Sequence, residues 1–259
     1  LSRETLLYTE MVTAPALVRG GALHLLDHDV SEHQVALQLG GSDPRELAQA
    51  ARPGADAGYD EINLNVGCPS DRVQSGAFGA VLMREPGLVA DCVDAMRAAC
   101  DVEVTVKCRI GVDDQTPEEV LPEFLSRIVA AGCTRVTIHA RKAWLQGLSP
   151  KENRDIPPLK YDWVYRLKQA YPHLEIIING GIKTFEDCHE HLAHTDGVML
   201  GREAYHNPWL LAEVDTELFG EPPAVTSRHE ALRAMFPFIH QELAPALPPL
   251  PPSLPPPPP

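Results

Sequence analysis

No two of the six cysteines are spaced as CxxC; they stand at 68, 92, 100, 108, 133 and 188 with no even framework. That spacing argues against a disulfide scaffold and a structural zinc site, and for reduced thiols in an intracellular compartment, the cytoplasm first or an organelle if a leader is missing. His189, His191 and His194 in "CHEHLAH" do not share one ligand face with a fourth residue on a helix, so no metal is expected there, only a solvated helix surface. No apolar run is long enough to span a bilayer, and no basic segment precedes an apolar one, which argues against membrane insertion and secretion. The chain begins at Leu1 rather than Met, so a leader or a first element is expected to be absent. Positive charge is also short. With 22 Lys/Arg against 36 Asp/Glu, the net charge is −14, which argues against a protein that coats nucleic acid indiscriminately. No GxGxxG follows the first strands, which counts against a Rossmann-type sheet.

What is present is a rhythm. Short β-rich runs recur at 6–13, 35–41, 61–67, 102–111, 135–141, 174–180 and 197–203. Helical patterns lie between most of them, as in "SDPRELAQAA", "EPGLVADCVDAMRAAC" and "TPEEVLPEFLSRIVAAG". Strands and helices alternating at this spacing predict parallel β/α units with right-handed crossovers. Seven strands are one short of a closed (β/α)₈ TIM barrel, so the expected fold is that α/β barrel lacking its first strand. The expected division is a catalytic barrel at 1–220, a helical remnant at 221–243 and a Pro-rich tail at 244–259, which should be polyproline II or disordered.

A β/α barrel assembles its site from the C-terminal ends of its strands. Those ends carry Gln38, Asn65 with Cys68, Lys107 with Arg109, His139 with Arg141, Asn179-Gly180-Gly181 and Gly201-Arg202. Each residue alone has a packing explanation, but a polar group at every strand end is hard to attribute to packing. "INGGI" and "LGRE" are glycine turns after the last two strands, where barrels commonly bind phosphate through bare backbone N–H groups. Gln38, Lys107 and His139 suit the polar edge of a planar heterocycle that gains negative charge on reduction, as a flavin does. A phosphorylated flavin, FMN, fits both features. Cys68 in "NVGCPS" would stand over the ring as a proton donor, since a thiol titrates close enough to neutrality to act as an acid. Residues 135–168 carry eight Lys/Arg against three acids, either a solvated loop and helix or a phosphate-facing patch.

These residues lie in stretches that resemble the tRNA-dihydrouridine synthases, closest to the A-type subfamily: "NLNVGCPSDRVQSGAFGAVLM", "VTVKCRIGVDD", "IHARKAWLQGLSPKENRDIPPL", "INGGI" and "DGVMLGREAYHNPW". The resemblance runs from about Tyr8 to about Phe219 and rests on several motifs in order. It implies reduction of the C5–C6 bond of D-loop uridines, at positions 20 and 20a in tRNA numbering, by FMN that NADPH reduces. It implies that Cys68 protonates uracil C5 and that Asn65 and Arg154 hold the flipped base. It further implies that Gln38, Lys107 and His139 contact the isoalloxazine, and that Asn179, Gly180, Gly181, Gly201 and Arg202 contact the ribityl chain and phosphate. Arg141 and Lys142 would meet the RNA.

The sequence departs from that family at both ends. No "APM" strand precedes Leu1, Pro15 stands where a small residue is expected, and a short stretch, "RHEALRAMFPFIHQEL", gives way to prolines in place of a helical tRNA-gripping domain. Two rival readings accompany the resemblance: a small-molecule flavin enzyme of the dihydroorotate-dehydrogenase type, and a remnant that keeps the fold without turnover.

Overall fold

The computed structural model describes residues 1–32, 34–70 and 77–243; the expected polyproline tail at 244–259 lies outside them. Eight strands form one parallel sheet: β1 (Leu7–Tyr8), β2 (Val12–Thr13), β3 (Val35–Gly40), β4 (Glu61–Val66), β5 (Glu103–Arg109), β6 (Arg135–His139), β7 (Glu175–Asn179) and β8 (Gly197–Met199). They pair in the order β1-β3-β4-β5-β6-β7-β8, with β2 also against β3. Helices alternate with them: α1 (Ala14–Val18), α2 (Pro44–Asp56), α3 (Pro86–Ala99), α4 (Pro117–Ala130), α5 (Tyr161–Ala170), α6 (Phe185–Leu192) and α7 (Arg202–His206). This is the β/α order of a (β/α)₈ barrel, and among the described residues the sheet is open between β8 and β1.

The helices start where the sequence supplies caps. Asp43 accepts from the N–H groups of Arg45 and Glu46 ahead of Pro44, and Thr184 with Asp187 forms a reciprocal capping box at α6, which satisfies donors that the first turn leaves unpaired.

Two of the expected strands depart most from their runs. The run 6–13 is two separate pieces, because Thr9 interrupts the ladder: its Oγ1 accepts from the Gln38 N–H at 3.0 Å, replacing a main-chain acceptor. The run 197–203 ends at Met199, since Arg202 already opens a helix.

Alternation along the strands divides the sheet into two faces. Leu37, Ile62, Leu64, Val104, Val106, Val136, Ile138 and Ile176 are buried on one of them. That face meets the helices, as a Cβ built on Gly54 of α2 would strike Leu37 and Ile62. The intervening residues form the barrel interior and are unusually polar: Gln38, Glu61, Asn63, Asn65, Thr105, Lys107, Arg109, Thr137 and His139, linked strand to strand by the pairing register.

The histidine-rich helix α6 is not wholly a solvated surface. His191 is buried, its ring 4.3 Å from that of Tyr161 and its Nδ1 2.6 Å from the Tyr165 hydroxyl, because this face of α6 packs on α5. Among the described residues no helix is long and apolar enough to cross a membrane, and no cluster of His, Cys, Asp or Glu is arranged to hold a metal.

By internal contacts Thr5–His206 is one compact unit, which contains the whole sheet; Leu1–Glu4 with the described residues from Asn207 onward is a second. In the second unit the Asp215 carboxylate accepts from the Ser2 hydroxyl and from the Arg3 N–H at 2.9 Å. The stretch "RHEALRAMFPFIHQEL" is two helical segments, Arg228–Ala234 and Phe236–Leu243.

Candidate active site

The strand ends converge on a cavity of about 720 Å³ lined by residues of β4 to β8 and the loops that follow them. Cofactor pockets fall in the range of about 300–1,000 Å³.

Cys68 enters this cavity on a turn fixed by Asn65. The Asn65 Oδ1 accepts from the backbone N–H of Gly67 at 3.1 Å and of Cys68 at 2.9 Å, the side-chain turn that asparagine makes two and three residues ahead of itself. Its Nδ2 donates to Gln38 Oε1 at 2.7 Å. Gln38 is therefore one layer below the cavity wall and does not line it. The thiol is half-buried and lies 3.5 Å from the Ser70 hydroxyl.

Three strands supply the cationic floor. Arg109, His139 and Asn179 occupy one register row at the ends of β5, β6 and β7. Lys107 Nζ donates to Asn179 Oδ1 at 3.3 Å. Burial, followed by Arg109, pulls the Lys107 ammonium down to about 8. His139 is depressed to about 2, first by burial and then by the Arg109, Lys107 and Arg141 charges, so it is a neutral imidazole at physiological pH. Arg109 is buried and its guanidinium falls to about 10 by burial. It donates to the carbonyls of Gly67 (3.1 Å), Lys142 (3.2 Å) and Asn153 (2.9 Å). Among the described residues neither Lys107 nor Arg109 has a carboxylate in ion-pair contact. An anionic or electron-rich ligand would balance that charge.

Glycine shapes the far wall. Gly180 and Gly181 take φ of +113° and +78°, a region other residues rarely adopt. A Cβ at Gly180 would strike the His139 ring, and one at Gly181 would stand 2.8 Å from the Tyr161 hydroxyl oxygen. Tyr161 in turn donates to the Gly180 carbonyl at 2.6 Å. Gly201 has open space where a side chain would project. Arg202 pairs with Asp155 at 2.6 Å and donates to the Arg154 carbonyl. Arg141 Nη1 donates to the carbonyls of Asp155 and Pro157, while its buried Nε has no hydrogen-bond partner among the described residues.

Of the residues expected from sequence, Cys68, Asn65, Lys107, His139, Arg141, Arg154, Asn179, Gly180, Gly181, Gly201 and Arg202 line one cavity; Gln38 and Lys142 do not. Lys142 lies outside, its Nζ 5.7 Å from the centre of the exposed Trp144 ring. The basic segment 135–168 does not form one patch. Arg135, at the first residue of β6, is at the opposite end of the barrel, bonded to Glu61, Glu103 and Glu175. Arg166 pairs with Asp162, and Lys168 with Asp196.

Sequence reasoning did not assign roles to Arg109, Tyr161 or Asn153. Asn153 is fully buried; its amide donates to the carbonyls of Trp144 (2.9 Å) and Leu148 (3.1 Å) and accepts from the Trp144 N–H (2.7 Å). It staples the loop that carries Arg154. The only hint available was its place within "KENR", one residue before Arg154.

A parallel β/α sheet with a cation-rich cavity at its strand ends, in which Cys68 is the one thiol among the described lining residues, defines the β/α-barrel class. Comparison with known proteins makes the class specific: the family model for dihydrouridine synthase matches residues 1–248, and the chain belongs to that family. Relatives named tRNA-dihydrouridine(20/20a) synthase include one from Vibrio vulnificus, 57% identical over 94% of this chain and 75% of the relative. Another, from Pseudomonas putida, is 59% identical over 92% and 71%. One from Synechocystis is 56% identical over 94% and 73%.

Proposed function

We propose that this chain reduces uridine to 5,6-dihydrouridine in tRNA, at positions 20 and 20a, with FMN as the bound flavin and NADPH as its reductant. The observation that carries the reading is the convergence of Cys68, Lys107, His139, the Asn179–Gly181 turn and Arg202 on one cavity, in a chain similar throughout most of its length to synthases of that name.

The residues present fit a phosphorylated flavin. Two glycines whose side-chain space is already taken, an open Gly201 and, among the described residues, an Arg141 Nε without a hydrogen-bond partner and two cations, Lys107 and Arg109, without an ion-paired carboxylate make a wall suited to phosphate and a floor suited to an electron-rich ring edge. Asn179, Gly180, Gly181, Gly201 and Arg202 would hold the ribityl phosphate, and Lys107 and His139 the ring. When bound, the flavin supplies the hydride for uracil C6.

The chain's own residues do the rest. Cys68 gives its thiol proton to uracil C5. The Asn65 turn sets the height of that thiol, and Arg154, at the rim, contacts the base. His139, being neutral, offers one N–H or one lone pair and adds no positive charge. Lys107 is largely protonated at pH 7 and would stabilise negative charge on the ring. The target uridine leaves its stack to reach the cavity, at a cost of a few kcal/mol, so basic groups beyond the mouth, Lys142 among them, hold the backbone. Six free thiols support a reducing compartment for the protein.

The test is direct. Purified chain with FMN, NADPH and an unmodified tRNA transcript should yield dihydrouridine by nucleoside mass spectrometry, while free uracil and orotate are not reduced. Flavin binding with orotate reduction and no dihydrouridine would replace this reading with the small-molecule one; bound flavin with no product from any of the three would reduce the chain to a non-catalytic remnant.

A further inference from the structure

The polar interior contains a continuous line of side-chain hydrogen bonds that begins at the far end of the barrel and ends on the Cys68 turn. Glu61 is its origin. Its carboxylate is buried, bonded by Arg135 Nη1 at 2.7 Å and by the Tyr8 hydroxyl at 2.7 Å. A carboxylate has no hydrogen to give, so the Thr105 hydroxyl, bonded to Glu61 Oε1, must be the donor. With its hydrogen spent, Thr105 Oγ1 can only accept, and Asn63 Nδ2 donates to it at 2.7 Å. That fixes the Asn63 amide with Oδ1 toward Gln38, which must present Nε2, at 2.9 Å. The remaining Gln38 oxygen accepts from Asn65 Nδ2 at 2.7 Å. Asn65 is left with Oδ1 facing the loop, where it accepts from the Gly67 and Cys68 N–H groups.

Every link has one permitted direction. An amide turned over anywhere in the line would set donor against donor on one side and acceptor against acceptor on the other. Glu61, Asn63 and Thr105 are all buried, so the line is shut off from the bulk water that could otherwise make good the error.

We propose that Glu61, Thr105 and Asn63, none of which lines the cavity, are positioning residues that set the orientation of the Asn65 amide and thereby hold the Cys68 thiol in place. The inference rests on reading Cys68 as the proton donor. If these groups only satisfied one another in a polar core, severing the line would cost stability and leave the thiol's environment as it was.

The experiment follows the thiol itself. The full chain is treated with iodoacetamide across a pH series, and modification of the Cys68 peptide is quantified by mass spectrometry in the parent, Thr105→Val, Thr105→Ser and Glu61→Gln. Thr105→Val keeps the branched shape and deletes the hydroxyl; Glu61→Gln keeps the shape and removes the acceptor-only rule at the origin. The expected result is a change in Cys68 alkylation of about fivefold or more, or a displaced pH profile, in Thr105→Val and Glu61→Gln, since alkylation tracks the thiolate and its access. Thr105→Ser, which restores the link, should return it to within about twofold. On tRNA, kcat should fall with little change in KM.

Parent-like alkylation in a folded Thr105→Val would overturn the proposal, as would an equal effect from Thr105→Ser. If Thr105→Val does not fold, Glu61→Gln decides in the same way. The proton-donor reading is judged separately: full activity in Cys68→Ala would remove it while leaving the alkylation comparison to stand alone.

Discussion

Arg202 and Asp155 form an ion pair at the cavity rim, Nη1 to Oδ1 at 2.6 Å, and Arg202 Nη2 also reaches the Arg154 carbonyl at 3.2 Å. The hydrogen bond from Arg202 holds the Asp155 carboxyl below its ordinary range. A phosphate arriving at Arg202 would compete with a carboxylate already there. Asp155→Asn should therefore tighten FMN binding by about threefold, the scale of an exposed ion pair, and leave riboflavin, which has no phosphate, unchanged. Fluorescence titration with the two flavins distinguishes this from a general loosening, which would move both.

Cys68→Ala should retain flavin and NADPH oxidation while dihydrouridine formation falls by about 10²-fold or more, the scale of general acid catalysis. Cys92→Ala is the control. Burial pushes the Cys92 thiol up to about 12, so it stays protonated and inert. Unchanged product formation in Cys68→Ala would remove the thiol from the mechanism.

Lys142 and Arg141 separate in the structure and should separate in the tube. Lys142 stands free of the cavity beside Trp144, whereas Arg141 ties the loop at Asp155 and Pro157. Lys142→Ala should weaken tRNA binding and lower its salt slope by about one, as for one phosphate contact, with flavin content unchanged. Arg141→Ala should lower flavin content too. A salt slope in Lys142→Ala equal to the parent's would make that lysine an ordinary solvated residue.

His139 gives the flavin-free protein an acid limb. Its folded value of about 2 lies below its ordinary 6.5, so between those pH values the unfolded chain binds a proton that the folded chain refuses. Stability is then unpenalised above 6.5 and falls as pH drops, by up to about 1.4 kcal/mol per pH unit from this one group. His139→Asn should flatten urea-unfolding stability between about pH 4 and 6.5 by that slope. An unaltered limb would show that the imidazole protonates freely in the folded state.

The strand-end logic read from sequence located most of the site because its signals are local. The Asn179–Gly181 turn is written in its glycines, and Asn65 lies three residues before the thiol it supports. What was not legible is lateral. That Gln38 stands under Asn65 follows from the register of β3 against β4, which no single segment encodes. Arg135 and Arg141 are six residues apart and look like one basic run, yet β6 carries them to opposite ends of the barrel. His191 is buried because α6 meets the two tyrosines of α5, a contact invisible to helical periodicity alone.

The polar barrel interior also bears on how the chain finds its fold. A strand in a parallel sheet can slide along its neighbour, and a slip of one residue turns every side chain to the opposite face. Here such a slip in β4 would drive Glu61, Asn63 and Asn65 against the apolar helices and leave Ile62 and Leu64 among amides and charges. Where both faces are greasy, misaligned pairings compete closely with the correct one. In this sheet the two faces are chemically opposite, so each strand carries its own penalty against a wrong alignment.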